Sequence, residues 1–244
     1  MKFVKVITVL LVLIVAFTFC SCGKVDHNYG VKSEEEVVES VKTKTDDENK
    51  ITSLDNKMSK FFDISLFDEE NYSKIYLGKK FEIKAVYDGT QFILPTKIDV
   101  LEASGWSLAE GSDYNKNSLI YAKETVELIF VNQNGSKLIA LFYNPLNTSV
   151  RFSECSIVKI RISNGYIKNA HSYSQFNICG VTNTSVITDV VQILGTPSHF
   201  YKKTENSYYF DYFIEESDRR NKIRLYIDLN NDAVTAVEFS NYKI

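Results

Sequence analysis

The stretch TSVITDVVQILGTPS, residues 184–198, predicts a short helix with a sharp end. Gly195 and Pro197 form the stop, because Gly adopts the backbone conformation needed past the last turn and Pro cannot continue a helix. Three stretches of alternating apolar and polar residues follow: SYYFDYFI (207–214), NKIRLYIDL (221–229) and AVTAVEFSN (233–241). A helix followed by consecutive antiparallel strands is typical of the α+β class.

The same order occurs earlier in the chain. A hairpin turning at Asp88-Gly89 is followed by a helix in TKIDVLEASGWSL (96–108), which Gly105 closes. Strands are then predicted around residues 119–122, 126–131, 137–143 and 156–164. DVLEASGWS (99–107) aligns with DVVQILGTP (189–197).

This recurrence predicts an internal duplication. We expect two tandem modules, residues 61–173 and 174–244. Each would have one or two short helices packed on an antiparallel sheet of about four strands. Chance similarity between two α+β units is the alternative.

The second module also resembles a known fold. Its helix ending Leu194-Gly195-Thr196-Pro197, its Tyr-rich strand and its last strand ending VTAVEFSN are similar to the fold of beta-lactamase inhibitory protein and of the small lipoprotein of the outer-membrane barrel-assembly machinery. In those proteins short helices pack on a four-stranded sheet, and the inhibitor has two such modules. Known members bind rather than catalyse, so the resemblance implies a binding protein. The first module departs from the pattern, with Gly105-Trp106-Ser107 in place of Gly-x-Pro.

The N-terminus predicts a secreted, lipid-anchored protein. Residues 1–22 combine Lys2 and Lys5 with an apolar run of about 14 residues, which is too short to span a bilayer. Ser21-Cys22-Gly23 resembles a bacterial lipobox, which implies that Cys22 is acylated and holds the protein on the extracytoplasmic face of the cell membrane. Phe19 stands where the family has Leu. An ordinary secretion signal is the alternative.

Residues 23–60 predict a charged tether. The part from Val31 onward lacks aromatic residues, Gly and Pro and carries dense mixed charge, so it cannot bury enough apolar surface to fold alone. The whole chain has a net charge of -3, which gives no reason to expect a nucleic-acid partner.

No catalytic constellation, cofactor motif or metal site is predicted. Cys155, His171 and Cys179 lack the closely spaced ligand pairs of a structural zinc site. The two cysteines could form a disulfide outside the cytosol, but free thiols are favoured because the domain is large enough to fold without one. His199 is expected to be a surface or turn residue.

The aromatic strand supplies the candidate interface. Alternation places Tyr208, Phe210 and Tyr212 on one face, and Tyr209, Asp211 and Phe213 on the other. We expect the face with Asp211 to meet water and to expose Tyr209 and Phe213.

Tyr212 would join this interface if a bulge shifted the alternation. Exposed Tyr favours protein contact. Alternatively, these aromatics only complete the core, where Trp106 is also expected.

The sequence therefore predicts a membrane-anchored binding or assembly module of the cell envelope, with a protein or an envelope polymer as its partner. The alternative is an inhibitor of a secreted or envelope hydrolase. An enzyme is a third hypothesis, and it would need an acid–base pair brought together by folding.

Overall fold

The described part of the chain contains two complete α-helices, two 3-10 helices of one turn each (Ile64–Leu66 and Phe152–Glu154) and fourteen strands. The computed structural model describes residues 57–163 and 176–244, which lie within one compact unit, residues 46–244. The α-helices are α1 (Ile98–Ala103) and α2 (Ile187–Leu194). The strands are β1 (Ala85–Tyr87), β2 (Thr90–Phe92), β3 (Trp106–Leu108), β4 (Leu119–Ile120), β5 (Thr125–Asn132), β6 (Lys137–Tyr143), β7 (Val150–Arg151), β8 (Ser156–Ser163), β9 (Phe176–Ile178), β10 (Val181–Thr182), β11 (His199–Thr204), β12 (Ser207–Phe213), β13 (Lys222–Asp228) and β14 (Ala233–Ser240).

Helix α2 forms where the sequence predicts it. Ile187, Val190 and Leu194 are buried, at the spacing that gives a helix one apolar side. The Asp232 carboxylate accepts a hydrogen bond from the Ile187 amide at 3.1 Å, which satisfies one free donor at the helix start. Gly195 ends the helix with a φ of 81°, a conformation that strains any residue with a Cβ.

Eight antiparallel strands form the main sheet, in the order β11-β12-β13-β14-β8-β6-β5-β3. The long strands lie within two residues of their predicted bounds. The α+β class is confirmed. After α1, strands β3, β5, β6 and β8 form one half of this sheet, while β4 and β7 pair separately. After α2, strands β11 to β14 form the other half, and the halves meet where β8 pairs with β14.

The two four-stranded sheets that were expected are therefore halves of one continuous sheet. This sheet contains strands from both predicted modules. β8 precedes the predicted boundary near residue 173 and β14 follows it, and the two strands pair at five positions, from Lys159 to Ser163 on β8.

A smaller sheet packs against the core side of the main sheet, in the order β10-β9-β1-β2. It consists of two hairpins with two-residue turns, Asp88-Gly89 and Cys179-Gly180. All four turn residues have positive φ. The first hairpin was predicted. The second was not, because Cys-Gly is not a usual turn signal.

One hydrophobic core lies between the main sheet and the layer of helices and hairpins. Trp106 is buried in it, as expected, and its Nε1 donates to Thr90 Oγ1 at 3.0 Å.

Met58 is also fully buried in this core, so the tether predicted to end at residue 60 is shorter than expected. Cys155 and Cys179 are free thiols, as favoured; Cys155 is buried, whereas Cys179 is only half-buried. Cys22, His171 and most of the tether lie outside the described residues.

Candidate functional site: the open face of the main sheet

The face of the main sheet that points away from the core is called the open face here. Its side chains form three rows across the strands. The first row is Tyr201, Tyr209 and Tyr226; the second is His199, Asp211, Arg224, Glu238, Arg161, Ile139 and Ile129; the third is Lys222, Ser240, Lys159, Leu141 and Glu127.

The tyrosine row is a chain of edge-to-face ring contacts. Tyr201 and Tyr209 have ring centroids 4.5 Å apart, and Tyr209 and Tyr226 have centroids 4.7 Å apart. The Arg224 guanidinium lies 5.4 Å and 5.2 Å from the centroids of Tyr201 and Tyr209. Burial raises the pKa of Tyr201 to about 12 although the charge of Arg224 opposes the shift, so this hydroxyl stays protonated. The row presents three half-buried rings in fixed positions.

The second row alternates in charge around a buried carboxylate. Asp211 is 1% exposed, and it accepts from Arg224 Nε at 2.6 Å and Nη2 at 2.7 Å. Lys222 Nζ lies 3.1 Å from the same carboxylate, and His199 Nδ1 lies 3.8 Å away. Burial alone would raise the pKa of Asp211, but the hydrogen bonds from Arg224 and His199 and the charge of Lys222 outweigh it and hold the pKa well below its usual range.

The expected exposure of Asp211 is therefore wrong. Its carboxylate is enclosed because it neutralises two cations of the neighbouring strand β13. Both of its oxygens are engaged, so it is not free to act as a general base. His199 is a surface residue as expected, but it begins strand β11 instead of lying in a turn, and its half-buried ring stacks on that of Tyr72 with centroids 4.0 Å apart.

Phe213 and Tyr212 are also less accessible than expected. Phe213 is buried beside Tyr72, with Arg219 and Lys222 over its ring. Tyr212 faces the core and donates to Gly195 O at 3.2 Å, because β12 pairs with β13 without a bulge. The alternation of β12 is confirmed, and of the four predicted interface residues only Tyr209 remains partly accessible.

Arg161 lies at the middle of the open face, directly opposite Glu238. Lys159 contacts Glu127 at 2.8 Å and Glu238 at 3.6 Å, while Lys222 and Arg224 share Asp211. Within the described residues, no carboxylate lies within 4 Å of the Arg161 guanidinium. Burial alone would lower its pKa, but the nearby Tyr226 hydroxyl and the charges of Glu127 and Glu238 outweigh burial and raise the pKa. Arg161 is therefore a half-exposed cation that two acidic residues of the open face attract without forming a direct ion pair.

The open face becomes apolar beyond Arg161. Ile139 is opposite Arg161 on β6, and Ile129 is opposite Ile139 on β5. Ile129 is 41% exposed. A guanidinium thus stands next to an apolar strip.

Sequence reasoning missed most of this surface. The signal was available, because alternation in NKIRLYIDL places Arg224 and Tyr226 on one side of a strand, and alternation in IVKIRISN does the same for Lys159 and Arg161. What the sequence did not give was the pairing of β8 with β14, which brings these two sets together.

The described ranges contain no group of three or more metal-ligating side chains. Among the helices described, none is long and apolar enough to cross a bilayer.

No family model, curated protein or solved structure matches this chain. No residue of the open face therefore inherits a role from a relative. Its function is inferred from the side chains that the fold brings together.

Proposed function

We propose that this protein is a membrane-anchored extracytoplasmic lipoprotein and that its folded part is a non-catalytic binding or assembly module of the cell envelope. The open face is its binding surface, and its partner is a protein. The observation that carries this proposal is the fixed row of Tyr201, Tyr209 and Tyr226 beside Arg224 and Arg161. Tyr and Arg are the residues that dominate binding energy at protein interfaces.

The tyrosine row suits binding because its geometry exists before a partner arrives. Each ring is held by edge contacts or by Arg224, so little rotamer freedom remains to be lost on association. Immobilising a free, flexible side chain costs about 0.5–1.5 kcal/mol, and a surface with fixed rings avoids much of that cost.

Arg161 and the apolar strip indicate the chemistry of the partner. The Arg161 guanidinium has no direct ion pair among the described residues, so it can bind a carboxylate of the partner, which accepts two parallel hydrogen bonds. Ile129, which is 41% exposed beside the buried Ile139, favours an apolar side chain next to that carboxylate. We therefore expect the partner to present an acidic residue flanked by apolar ones.

The experiment that tests this function is affinity capture from envelope and culture-fluid extracts with the immobilised full chain. Arg161→Glu and Tyr209→Ala should each abolish capture of a protein that the unchanged chain retains. Tyr121→Ala is the matched control, because Tyr121 is 68% exposed and is not part of the open face. Capture that survives both open-face variants, with their fold verified by circular dichroism, would contradict the proposed surface.

The same experiment addresses the inhibitor hypothesis. A captured hydrolase whose activity falls in proportion to added protein would assign the open face to inhibition rather than to assembly. Arg161→Glu should then restore the activity of that hydrolase.

We also propose that the chain consists of two duplicated modules. An offset of 91 residues places the turn Asp88-Gly89 on Cys179-Gly180, and each half continues with a helix and strands of the main sheet. The predicted alignment of Asn164 with Asn241 makes Arg161 equivalent to Glu238, and these two residues face each other at the centre of the sheet. An experimental structure should superpose one half on the other by a rotation of about 180°, as in other two-fold arrangements. Failure of the two helices to overlap would contradict a duplication.

The lipid anchor is tested at Cys22. Mass spectrometry of protein isolated from its host should show a mature chain beginning at an acylated Cys22. Cys22→Ser should release the protein from the membrane, whereas Cys20→Ser should not, because Cys20 leaves with the signal peptide. An unmodified N-terminus at another residue would contradict the lipobox assignment.

A further inference from the structure

A cleft opens where the two legs of the β1–β2 hairpin separate. Residues 79–84 lead into β1, and Ile93 and Leu94 follow β2. With the ends of β12 and β14, these legs line a cleft of about 470 Å³. This volume lies within the range of roughly 300–1,000 Å³ that is typical of small-molecule sites.

Hydrogen bonds at the ends of both walls hold the cleft open. Gly78 N donates to Ile214 O at 2.9 Å, and Lys84 O accepts from Cys179 N at 2.7 Å. On the opposite wall, Asn241 Nδ2 donates to Leu94 O at 2.7 Å. The walls are therefore formed without a ligand, so that binding does not have to order them.

About half of the surface that lines the cleft is apolar. Its apolar side chains are Phe81, Ile83, Ile93, Leu94, Ile214 and Phe239. Leu94, Ile214 and Phe239 are buried in the protein, whereas Ile93 is 69% exposed. An apolar ligand in the cleft would cover Ile93 and extend the core outward.

The rim of the cleft is cationic. Lys79, Lys84 and Lys243 line it, against one carboxylate, Glu82. Glu215 lies beside the rim and pairs with Lys79 at 3.4 Å and with Lys243 at 3.1 Å. Lys84 has no carboxylate within 4 Å in the part of the chain that the structure describes, so its ammonium group is free for an anion.

The buried polar side chains of the cleft are already engaged with the protein. Asn221 Oδ1 accepts from Tyr242 N at 2.6 Å, Ser240 Oγ donates to Arg220 O, and the Asn241 amide holds Leu94. A sugar or a nucleobase needs hydrogen-bond donors and acceptors from the walls of its site, and these three side chains already use theirs within the protein. A flexible apolar ligand has no such need.

We propose that this cleft binds one acyl chain that carries an anionic head group. The chain lies against Ile83, Ile93 and Leu94, and the head group lies beside Lys84. A free fatty acid and an anionic phospholipid share this chemistry. The site is separate from the open face, so the inference does not depend on the proposed protein partner.

Photo-labelling of the full chain tests the proposal. The probes are hexadecanoic acid and phosphatidylglycerol, each with a diazirine on an acyl chain. Peptide mass spectrometry should place the label on residues 79–84 or 91–94, and unlabelled hexadecanoate should compete with it. Labelling by the fatty acid alone would identify a free acid as the ligand, and labelling by the phospholipid alone would identify a membrane lipid.

Two variants sharpen the test. Ile93→Trp fills the cleft from an exposed position and should remove the label without lowering the melting temperature. Lys84→Glu should reduce labelling by about 5-fold, the equivalent of about 1 kcal/mol for one partly screened charge. Lys74→Glu, at an exposed lysine outside the cleft, is the matched control and should label normally.

Three results would overturn the proposal. They are label distributed outside the cleft, undiminished label in Ile93→Trp, and equal labelling by a hexadecylamine probe that carries a positive head group.

Discussion

At the residue scale, Asp211 determines how the open face is built. Alternation along β12 predicted the correct face for Asp211 but also predicted that its side chain is exposed to water. The sequence of one strand does not show which charged side chains the neighbouring strand places beside it. The neighbour β13 brings Lys222 and Arg224 against it, and their charges make burial of the carboxylate favourable. Arg224 in turn positions Tyr201 and Tyr209, so the buried ion cluster supports the tyrosine row.

Asp211→Asn should therefore destabilise the fold. The change leaves the half-buried Arg224 without its counter-charge, and breaking such a pair costs about 3 kcal/mol. Urea denaturation would measure the loss in the free energy of unfolding. Asp113→Asn, at an exposed position, is the control and should change it by less than about 0.5 kcal/mol. A loss for Asp211→Asn as small as that of the control would refute the structural role of the cluster.

The same carboxylate predicts a pH dependence. Its pKa is depressed in the folded protein, while an unfolded Asp titrates near about 3.9. The stabilisation by Asp211 is therefore complete above about pH 4 and is lost as the pH falls towards the depressed pKa, by about 1.4 kcal/mol per pH unit. The difference in unfolding free energy between the unchanged chain and Asp211→Asn should narrow from pH 4 to pH 3. A difference that stays constant over this interval would show that Asp211 titrates normally.

At the element scale, the pattern of apolar residues and the turn and helix-stop residues predicted the long strands and both helices. β5, β6, β8, β12, β13 and β14 were recognisable because each is a run of seven or eight residues, rich in apolar, aromatic and β-branched side chains, next to turn signals. β3, β7, β9, β10 and β11 were not recognised. β3, β7, β9 and β10 have only two or three residues, too few for a period, and three of the six residues of β11 are the polar stretch Lys202–Thr204. Their pairing is decided by the tertiary structure rather than by local preference.

The end of α2 gives the prediction at this scale. Gly195 has φ 81° and ψ −166°, a region that residues with a Cβ almost never adopt. Gly195→Ala should lower the free energy of unfolding by about 1–3 kcal/mol, measured by thermal or urea unfolding. Thr196→Ala is the neighbouring control and should have a smaller effect. Equal effects of the two substitutions would show that the backbone conformation of Gly195 is not required.

At the scale of the whole molecule, the continuous sheet joins the two halves, and we expect them to unfold as one cooperative structure. The sequence indicated two similar halves but not their junction, because the β8–β14 contact connects residues more than 70 positions apart. The side chains of the open face come from both halves. The open face could therefore not be assembled from either half of the sequence alone.

Cooperativity can be followed at Trp106, the only tryptophan of the chain, which lies in the first half. Phe210→Leu, a buried change in the second half, should shift the Trp106 fluorescence transition and the far-UV circular dichroism transition to the same lower urea concentration. A Trp106 transition that does not move would show that the two halves unfold independently.

The central claim is that the open face binds a protein, and site-specific photo-cross-linking in the host cell tests it most directly. A benzophenone amino acid would replace Tyr209 on the open face or, as the control, the 44% exposed Ile193 on helix α2. The account predicts one defined cross-linked protein from position 209, lost when Arg161→Glu is added, and none from position 193. The same products from both positions, or a product at 209 that persists with Arg161→Glu, would contradict it.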